Sequence, residues 1–359
     1  MTTTSRIRHR ITSLPGDGIG HETVPAGIAV LNAAAAKFDF DLDWVEQPWG
    51  SAYYKKHGRM MPVDAIETMS STDAIFLGAV GDPEISDVET LWGMLIPIRR
   101  DFDQYINLRP IRTLPGVVSP LRDSENIDLV VVRENVEGEY SAVGGRSYPG
   151  RPEETAYQQS IFTRNGIARA ATFAAELALT RGGKVMSATK SNGIIHTMTF
   201  WDEVVKDTFQ QYPTLELRSM LIDALSATLV LKPQSFDVIV ASNLFGDILS
   251  DIAAATVGSI GVAPSANLNP ERHFPSLFEP VHGSAPDIAG KGMANPTGQI
   301  WAGAMMLSHL GHSDASAAVI DAFIATLTSG VSTPDLGGSA TTSSYTEAVV
   351  AELLYSPSH

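Results

Sequence analysis

The sequence predicts an α/β protein. Short apolar runs rich in Val and Ile alternate with longer stretches that carry apolar residues at helical spacing. Glycine-rich turns separate many of these segments, and no internal repeat is evident. Apolar runs of this kind are typical of strands that are buried on both faces of a sheet between helices.

The elements can be assigned in chain order from this pattern. The predicted strands are Arg10–Leu14, Asp73–Leu77, Leu129–Arg133, Val185–Thr189 and Asp237–Ala241. The predicted helices are His21–Lys37, Gly166–Thr180, Thr199–Gln211, Asp247–Val257, Gln299–Leu310 and Ser344–Tyr355. Pro25 falls in the first turn of its helix, where proline is tolerated, and Ser344 with Glu347 predicts a capping box.

One polar segment, Arg146–Thr163, is interrupted by Pro149 and Pro152. It has two interpretations, an arm that extends to a partner subunit or an ordinary surface loop. The sequence does not separate them.

The composition excludes several classes of function. The 359 residues carry a formal net charge of −15, which argues against nucleic acid and against an anionic membrane surface. The absence of cysteine excludes disulfides, thiolate catalysis and iron–sulfur clusters. No stretch approaches the ~18 apolar residues of a membrane span. The polar start, Met1–Arg10, is too short for a transit peptide and predicts the ragged N-terminus of a cytoplasmic protein.

A glycine-rich turn, Pro15–Gly20, follows the first strand and opens the first helix. Gly16, Gly18 and Gly20 are spaced two and two, whereas the dinucleotide fingerprint needs two and then three. The turn therefore does not predict a Rossmann fold, although it allows close approach of the backbone to a ligand.

Three aspartates suggest a metal site. Asp247 and Asp251 are four residues apart, so both carboxylates lie on one face of the predicted helix. Asp223 is a third candidate, in Leu221-Ile222-Asp223-Ala224. Carboxylate oxygens are hard ligands that suit Mg²⁺ or Mn²⁺.

Three arginines follow apolar residues at the ends of elements: Arg99, Arg109 and Arg133. A guanidinium matches a carboxylate in two hydrogen bonds, so three that converge would bind a dicarboxylate. For any one of them alone, a surface ion pair is the simpler interpretation. That simpler interpretation is preferred for Arg100.

Tyr140 and Lys190 are candidates for proton transfer. Tyr140 lies seven residues after Arg133, and a tyrosine hydroxyl beside cations can deliver a proton to carbon. Lys190 ends a strand, where burial would favour its neutral, basic form. The alternatives are a core or interface tyrosine, and a lysine that extends to solvent at the sheet edge.

A second glycine-rich stretch, Glu279–Pro296, offers small residues for close approach to a cofactor. His282 could stack on a ring, and Asp287 could accept hydrogen bonds from the two hydroxyls of a ribose. A 2′-phosphate would repel this carboxylate, which favours NAD over NADP.

Together these segments resemble the β-decarboxylating dehydrogenases, the family of isocitrate, isopropylmalate, D-malate and tartrate dehydrogenases. The resemblance extends from the Gly16–Gly20 turn to Thr333–Gly338, and the runs Asn243–Asp251 and Glu279–Asn295 carry it most specifically. It implies a two-domain fold with a central parallel or mixed sheet that is not a Rossmann fold. The larger domain, residues 1–104 and 258–359, would bind the cofactor. The smaller domain, residues 105–257, would carry the substrate, metal and dimer-contact residues.

The resemblance also implies chemistry and partners. The reaction would be the NAD-dependent oxidation of a small 2-hydroxy dicarboxylic acid with loss of CO₂, aided by Mn²⁺ or Mg²⁺; the sequence leaves a requirement for K⁺ open. The active site would be shared between the subunits of a homodimer. Because every charged position that the mechanism needs is filled, a catalytically silent homologue that binds a small acid is the less favoured alternative.

Site roles carry over residue by residue. The substrate-carboxylate arginines would be Arg99, Arg109 and Arg133. Tyr140 would be the proton donor, and Lys190 the catalytic lysine that acts in the other subunit's site. The metal ligands would be Asp247 and Asp251 of one subunit and Asp223 of its partner. The NAD contacts would be Ile19, Asn192, Glu279, His282, Gly283, Ser284, Ala285, Asp287, Ile288 and Asn295.

The segment before Arg99 is the one that indicates the substrate. Trp92 stands where isopropylmalate enzymes have a Glu that helps to read the branched group, and with Leu95 it would close the pocket to a large substituent at C3. This segment looks most like tartrate and D-malate dehydrogenases. The residues do not separate these two substrates, and 3-isopropylmalate is the alternative.

Overall fold

The computed structural model describes residues 6–355. The first five residues of the predicted N-terminal segment lie outside the described residues, and from Ile7 the chain is already a strand. Within the described part, no helix combines the length and apolar character that a bilayer span requires.

Twelve strands account for the β-structure of the described residues. In chain order they are β1 Ile7–Gly16, β2 Phe40–Glu46, β3 Ala74–Ala79, β4 Ile106–Arg112, β5 Asp128–Glu134, β6 Gly144–Ser147, β7 Thr155–Gln158, β8 Lys184–Thr189, β9 Glu216–Leu221, β10 Val238–Ala241, β11 Pro264–Leu268 and β12 Ser276–Pro280.

The α-helices of the described residues are α1 Gly20–Lys37, α2 Ser51–His57, α3 Ala65–Ser70, α4 Asp87–Thr90, α5 Ile96–Asp101, α6 Arg164–Leu179, α7 Thr197–Phe209, α8 Ile222–Leu231, α9 Asn243–Thr256, α10 Thr297–His309, α11 Ser313–Thr328 and α12 Thr342–Tyr355. A π-helical turn, Leu91–Leu95, links α4 to α5, and short 3₁₀ turns occupy Pro233–Ser235, Ile260–Val262 and Pro334–Leu336.

The chain forms two compact units, of which the first comprises Met1–Gln104, Thr113–Pro120 and Val257–His359. Its strands lie in the order β2-β1-β3-β12-β11. All neighbouring pairs are parallel except β11 and β12. Helices α1, α10, α11 and α12 pack on one another, because their apolar faces need a partner.

The second unit comprises Tyr105–Arg112 and Leu121–Thr256. Its strands lie in the order β4-β5-β10-β8-β9, with β4 antiparallel to β5 and the remaining neighbours parallel. Helices connect the parallel strands, as parallel pairing requires. Helix α6 packs against α7, and α8 against α9. The central strands of the two units, among them β3, β5 and β10, are apolar and buried, so the predicted α/β class is confirmed.

The polar segment Arg146–Thr163 contributes to a hairpin. Strands β6 and β7 pair antiparallel, and every residue of both strands is exposed. The Gln159 amide donates to the Val143 carbonyl at 2.8 Å, so the hairpin begins and ends at one point.

Two local predictions need correction. Helix α9 begins at Asn243, four residues before the predicted start at Asp247. The capping box at Ser344 is wrong, because α12 already begins at Thr342 and the Ser344 hydroxyl bonds Thr341 instead. The longer helices α8 and α11 and the short helices α2 to α5 were not predicted.

The glycine-rich turn after β1 is used for packing within the protein. Gly18 has φ of 54°, and a Cβ there would lie 2.0 Å from the Ser284 carbonyl oxygen. The Ile19 amide donates to the same oxygen at 2.9 Å. The close approach therefore joins this turn to the second glycine-rich stretch.

Candidate active site

The second unit presents its candidate residues at one edge of its strands. Strands β5, β10 and β8 are parallel neighbours, so their carboxyl ends lie together, where ligands bind in open α/β sheets. Arg133 is near the end of β5, Lys190 directly follows β8, and α9 begins directly after β10. Because these strands run in the same direction, Arg133, Lys190 and the start of α9 all lie at one edge of the sheet.

Arg109 reaches this edge from β4, where it pairs with Val131 of β5. Its Nη1 donates to the Ser250 hydroxyl at 2.7 Å and to Asp251 Oδ1 at 2.9 Å, and its Nη2 donates to Asp247 Oδ1 at 3.2 Å. The residue is only 8% exposed. A guanidinium buried this deeply needs such partners, because an unpaired buried charge is costly.

Arg133 lies against the first turn of α9. Its Nε and Nη2 donate to Asn243 Oδ1 at 3.1 and 2.6 Å, and its Nη1 donates to Asp247 Oδ1. A Cβ on Gly246 would lie 2.6 Å from the Arg133 Cβ, so glycine is needed for this contact.

Tyr140 completes the group. Its hydroxyl donates to Asp247 Oδ2 at 3.0 Å, and the guanidinium carbon of Arg133 lies 5.5 Å from the centre of its ring. The Tyr140 phenol therefore lies beside one cation, Arg133, and its hydroxyl bonds an acidic side chain, an environment that suits proton delivery.

The acidic pair fits a divalent cation. Asp247 and Asp251 project from successive turns of α9, and their side chains are 32% and 56% exposed. Burial raises the pKa of Asp251, the neighbouring Asp247 carboxylate adds to the rise, and Arg109 opposes it. A divalent cation would relieve the repulsion between two carboxylates. Among the described residues, no group of three or more acidic, His or Cys side chains could hold a metal within one chain.

Lys190 and Asp223 form a separate pair in the second unit. Lys190 Nζ donates to Asp223 Oδ1 at 2.7 Å, and this hydrogen bond lowers the pKa of Asp223. The lysine side chain is 30% exposed and the aspartate 66%, so Lys190 is less buried than the sequence suggested. Both residues are accessible to another molecule.

The first unit carries the third arginine. Arg99, at the end of α5, donates from Nη2 to Glu279 Oε1 at 3.2 Å, and Asn267 donates to the same oxygen at 2.7 Å. Arg99 and Glu279 are each 9% exposed. The predicted substrate arginine and the predicted NAD contact Glu279 are therefore buried ion-pair partners.

The predicted specificity segment forms the π-helical turn before α5. Met94 is buried in a core cluster of the first unit, and Leu95 packs against that cluster. The Arg100 guanidinium carbon lies 5.2 Å from the centre of the Trp92 ring, so Arg100 stacks on the predicted specificity residue. π-Helical turns are frequent at functional sites.

A cavity of about 430 Å³ in the first unit fits part of a nucleotide cofactor. Its walls include Ile19, Ile288 and Met293, which suit a flat ring, and polar groups of Asn295 and Asp335. His282 and Ala285 also contribute to the lining.

His282 supports this fit. Its Nδ1 lies 3.0 Å from the Gly283 carbonyl oxygen, whereas its Nε2 is buried and has no hydrogen-bond partner among the described residues. Burial lowers the pKa of His282, which favours a neutral ring that can bond a ligand. A buried polar atom without a partner is costly unless a ligand or water satisfies it.

Other predicted NAD contacts lie outside the residues that line the cavity. Gly283 and Asp287 are exposed, and Ser284 is buried behind the glycine-rich turn. Asn192 is exposed in the turn after β8, in the second unit. The roles of these residues as NAD contacts stay predictions.

Several residues of these sites were missed in the sequence. Asn243 and Ser250 contact the two arginines, and with Asp247 and Asp251 they follow the spacing i, i+4, i+7, i+8 of one helix face. This helical spacing could be read from the sequence, and it indicates that the four side chains lie on one face of the helix. Asp335, which lines the cavity and accepts from Asn295 at 3.0 Å, lies in a short 3₁₀ turn without a periodic pattern, and its only signal was its place in the Thr333–Gly338 segment of the family resemblance.

Comparison with known proteins identifies the family. A sequence model described as isocitrate/isopropylmalate dehydrogenase matches residues 10–349. The chain belongs to this family. The expected family is confirmed.

Individual relatives in the family are similar over nearly their whole length. The chain is 51% identical to the D-malate dehydrogenase (decarboxylating) of Escherichia coli strain K12, over 96% of this chain and 98% of that protein. It is 50% identical to the tartrate dehydrogenase/decarboxylase of Pseudomonas putida, over 93% of this chain and 94% of that protein.

A solved structure of the family has the same fold. The isocitrate dehydrogenase of Methylococcus capsulatus matches with a TM-score of 0.87 and 34% identity, over 96% of this chain and 99% of that one. The isocitrate/isopropylmalate dehydrogenase-like fold, as opposed to a Rossmann fold, is thereby confirmed.

Proposed function

We propose that this chain catalyses the NAD-dependent, divalent-metal-dependent oxidative decarboxylation of a small 2-hydroxy dicarboxylic acid, either D-malate or tartrate. The observation that carries the proposal is the group in which Arg109, Arg133 and Tyr140 all contact the acidic face of α9. Family membership makes the chain an oxidoreductase that acts on a CH–OH group, as the sequence predicted.

The charges of the second unit suit a metal ion and a dicarboxylate together. Arg109 and Arg133 now bond Asp247, and Arg109 also bonds Asp251. A divalent cation would replace the arginines as partner of the aspartates, while substrate carboxylates would replace the aspartates as partners of the arginines. The two ligands bring equal and opposite charge, so neither set of buried charges would be left unpaired.

The metal ion and NAD would supply the Lewis-acid and redox chemistry. Asp247 and Asp251 of one subunit, with Asp223 of a second, would hold Mn²⁺ or Mg²⁺. The cavity lined by Ile19, His282 and Asn295 would hold part of NAD. When bound, the metal would acidify the substrate hydroxyl, and NAD would accept the hydride.

The side chains of the protein would hold the substrate and move protons. Arg109 and Arg133, with Arg99, would bind the carboxylates until CO₂ leaves. Lys190 would take the hydroxyl proton, directly or through water. Oxidation of D-malate gives oxaloacetate, NADH and a proton; loss of CO₂ and uptake of a proton at carbon, delivered by Tyr140, then gives pyruvate.

The substrate assignment is supported by the turn before Arg99 and by the relatives. Trp92 and Leu95 lie on a turn that is fixed by core packing and by Arg100. A bulky indole at this position leaves room for hydrogen or hydroxyl at C3 and disfavours an isopropyl group. The relatives named for D-malate and for tartrate are about equally similar to this chain.

We propose that the active unit is a homodimer. Lys190 and Asp223 are accessible, and no third acidic, His or Cys ligand joins Asp247 and Asp251 within the described part of one chain. A second copy that supplied both residues would complete the metal site and provide the base.

The deciding experiment is a substrate panel read by NADH absorbance, with the products identified. D-Malate, L-tartrate and 3-isopropylmalate are offered with NAD and Mn²⁺, and Asp247→Asn is measured in parallel. We expect turnover of one or both of the first two acids, poor turnover of the third, and joint loss of metal affinity and turnover in the variant. Preference for 3-isopropylmalate would favour the leucine-biosynthesis enzyme, and no NADH from any acid a silent homologue.

A further inference from the structure

Three glutamates lie at the end of β5 and in the loop that follows it, Glu134, Glu137 and Glu139, and the carboxylate of each accepts hydrogen bonds from a different set of donors. Glu134 accepts from the amides of Val136 and Glu137 within the loop. Glu137 accepts from the amide and hydroxyl of Thr163, at the start of α6. Their shared role is to bond backbone or hydroxyl donors.

Glu139 is bonded to the start of α9. Its Oε1 accepts from the Ser242 hydroxyl at 2.8 Å, and its Oε2 accepts from the Leu244 amide at 3.0 Å. The first amides of a helix have no partner within the helix, and a negative charge near them interacts favourably with the helix dipole. Glu139 therefore fixes the start of α9 relative to the loop.

This contact is next to the proposed chemistry. Tyr140 is the residue after Glu139, and Asp247 lies one turn beyond Asn243 in α9. The Tyr140 hydroxyl bonds Asp247 Oδ2 at 3.0 Å. Two contacts thus join the loop to α9. Glu139 bonds the start of the helix, and Tyr140 bonds Asp247 within the proposed site.

Asn243 adds a third connection. Its side-chain amide donates to the Glu137 carbonyl at 3.1 Å, while its Oδ1 accepts from Arg133. This contact uses the backbone of Glu137, so it survives a change of that side chain. A substitution at Glu139 should therefore loosen the start of α9 without abolishing its packing.

We propose that Glu139 is a positioning residue that sets the place of Asp247 relative to Tyr140, and thereby both metal affinity and the fate of the keto acid. The inference rests on the proposed function, because it requires Asp247 to bind metal and Tyr140 to donate a proton. If Glu139 served only the fold, its substitution would change the free energy of unfolding but neither the metal affinity nor the ratio of oxaloacetate to pyruvate.

The test compares Glu139→Ala and Glu139→Gln with Glu137→Gln. The last is the matched control, since it weakens a doubly bonded carboxylate of the same loop at α6 rather than α9. Mn²⁺ binding to each purified full-length protein is measured by electron paramagnetic resonance without substrate. The ratio of oxaloacetate to pyruvate formed from D-malate is measured separately.

We expect Glu139→Ala to raise the Mn²⁺ dissociation constant by about 10-fold, as is typical when a residue that supports a metal ligand is removed. Its released oxaloacetate should rise relative to pyruvate. Glu139→Gln should lie between it and the wild type, because one acceptor oxygen remains. Glu137→Gln should leave both quantities within about two-fold of the wild type.

Asp247→Asn separates failure of the inference from failure of the proposed function. Unchanged Mn²⁺ affinity in that variant would overturn the metal assignment itself. Weakened affinity there, with wild-type affinity and product ratio in Glu139→Ala, would overturn only the role of Glu139. Should Glu139→Ala fail to fold, the same two measurements are made on Glu139→Gln and on Ser242→Ala, which removes the hydroxyl that donates to Glu139. Wild-type values in both variants would overturn the role of Glu139.

Discussion

Asp247 is the residue on which the second unit's charges converge. It accepts hydrogen bonds from Arg109, Arg133 and Tyr140, so its position is determined from three directions before any ligand binds. Preorganisation of this kind lowers the ordering cost of binding. Helical spacing predicted the acidic pair, but the convergence of the arginines depends on strand pairing, which no local pattern reveals.

Trp92 gives a prediction about substrate choice. We expect Trp92→Ala to raise kcat/KM for 3-isopropylmalate relative to D-malate by about 10-fold or more, because a pocket that loses an indole can accept a branched group. Steady-state rates with both acids measure this. Trp44→Ala, which removes an indole from β2, is the control and should leave the ratio unchanged. An unaltered ratio in Trp92→Ala would remove Trp92 from the pocket.

Glu134 gives a prediction about pH. Burial raises the pKa of this carboxyl to about 7, although two backbone amides oppose the rise. The native state therefore keeps a proton that the unfolded state loses near its ordinary pKa of about 4.5. The stability contributed by this proton is fully present below that value and is lost as the pH rises through 7.

The test is urea unfolding of the wild type and Glu134→Gln at pH 5 and pH 8. We expect the wild type to lose stability relative to the variant as the pH rises, by an amount on the order of 3 kcal/mol at most. Other titrating groups are common to both proteins and cancel in the difference. A difference that does not depend on pH would show that Glu134 titrates in its ordinary range.

At the scale of elements, apolar patterning predicted five of the twelve strands of the described residues, β1, β3, β5, β8 and β10, because their apolar runs are buried on both faces. Val130, Val132 and Val240, for example, are almost fully buried on neighbouring strands. Element ends were less predictable. Helix α9 starts early because Glu139 bonds its first turn across the fold, and α8 lacks the clear one-sided pattern that distinguishes a helix from a buried strand. The π-helical turn carries no sequence signal of its own.

The exposed hairpin gives a prediction about assembly. Because Val143 and Gln159 are directly hydrogen bonded, residues 144–158 can be replaced by an Asn-Gly turn. If the hairpin is an arm that contacts a partner, the variant should become monomeric and lose turnover. Light scattering after gel filtration measures the mass, and circular dichroism checks the fold. A variant that stays dimeric and active would establish an ordinary surface loop.

At the scale of the whole molecule, the family was predicted from the long motifs Asn243–Asp251 and Glu279–Asn295. Physical reasoning from residue type and spacing alone did not identify it. Folding physics explains why Arg133, Lys190 and α9 meet at one edge, because they follow parallel neighbouring strands. It could not predict which side chains line the cofactor cavity. Asp287 was favoured on chemical type, yet Asp335, from a distant loop, lines the cavity because tertiary packing brings it there.

A site built from two chains predicts complementation. Lys190→Met and Asp247→Asn should each be inactive alone. In a heterodimer, one site receives Asp247 from the first chain and Lys190 from the second and is intact, whereas the other site carries both changes. Random exchange makes half of the dimers mixed, so about a quarter of wild-type turnover should return. Differently tagged subunits confirm the exchange, and a mixture of each variant with itself is the control. Confirmed exchange without recovered NADH formation would mean that each chain supplies its own Lys190.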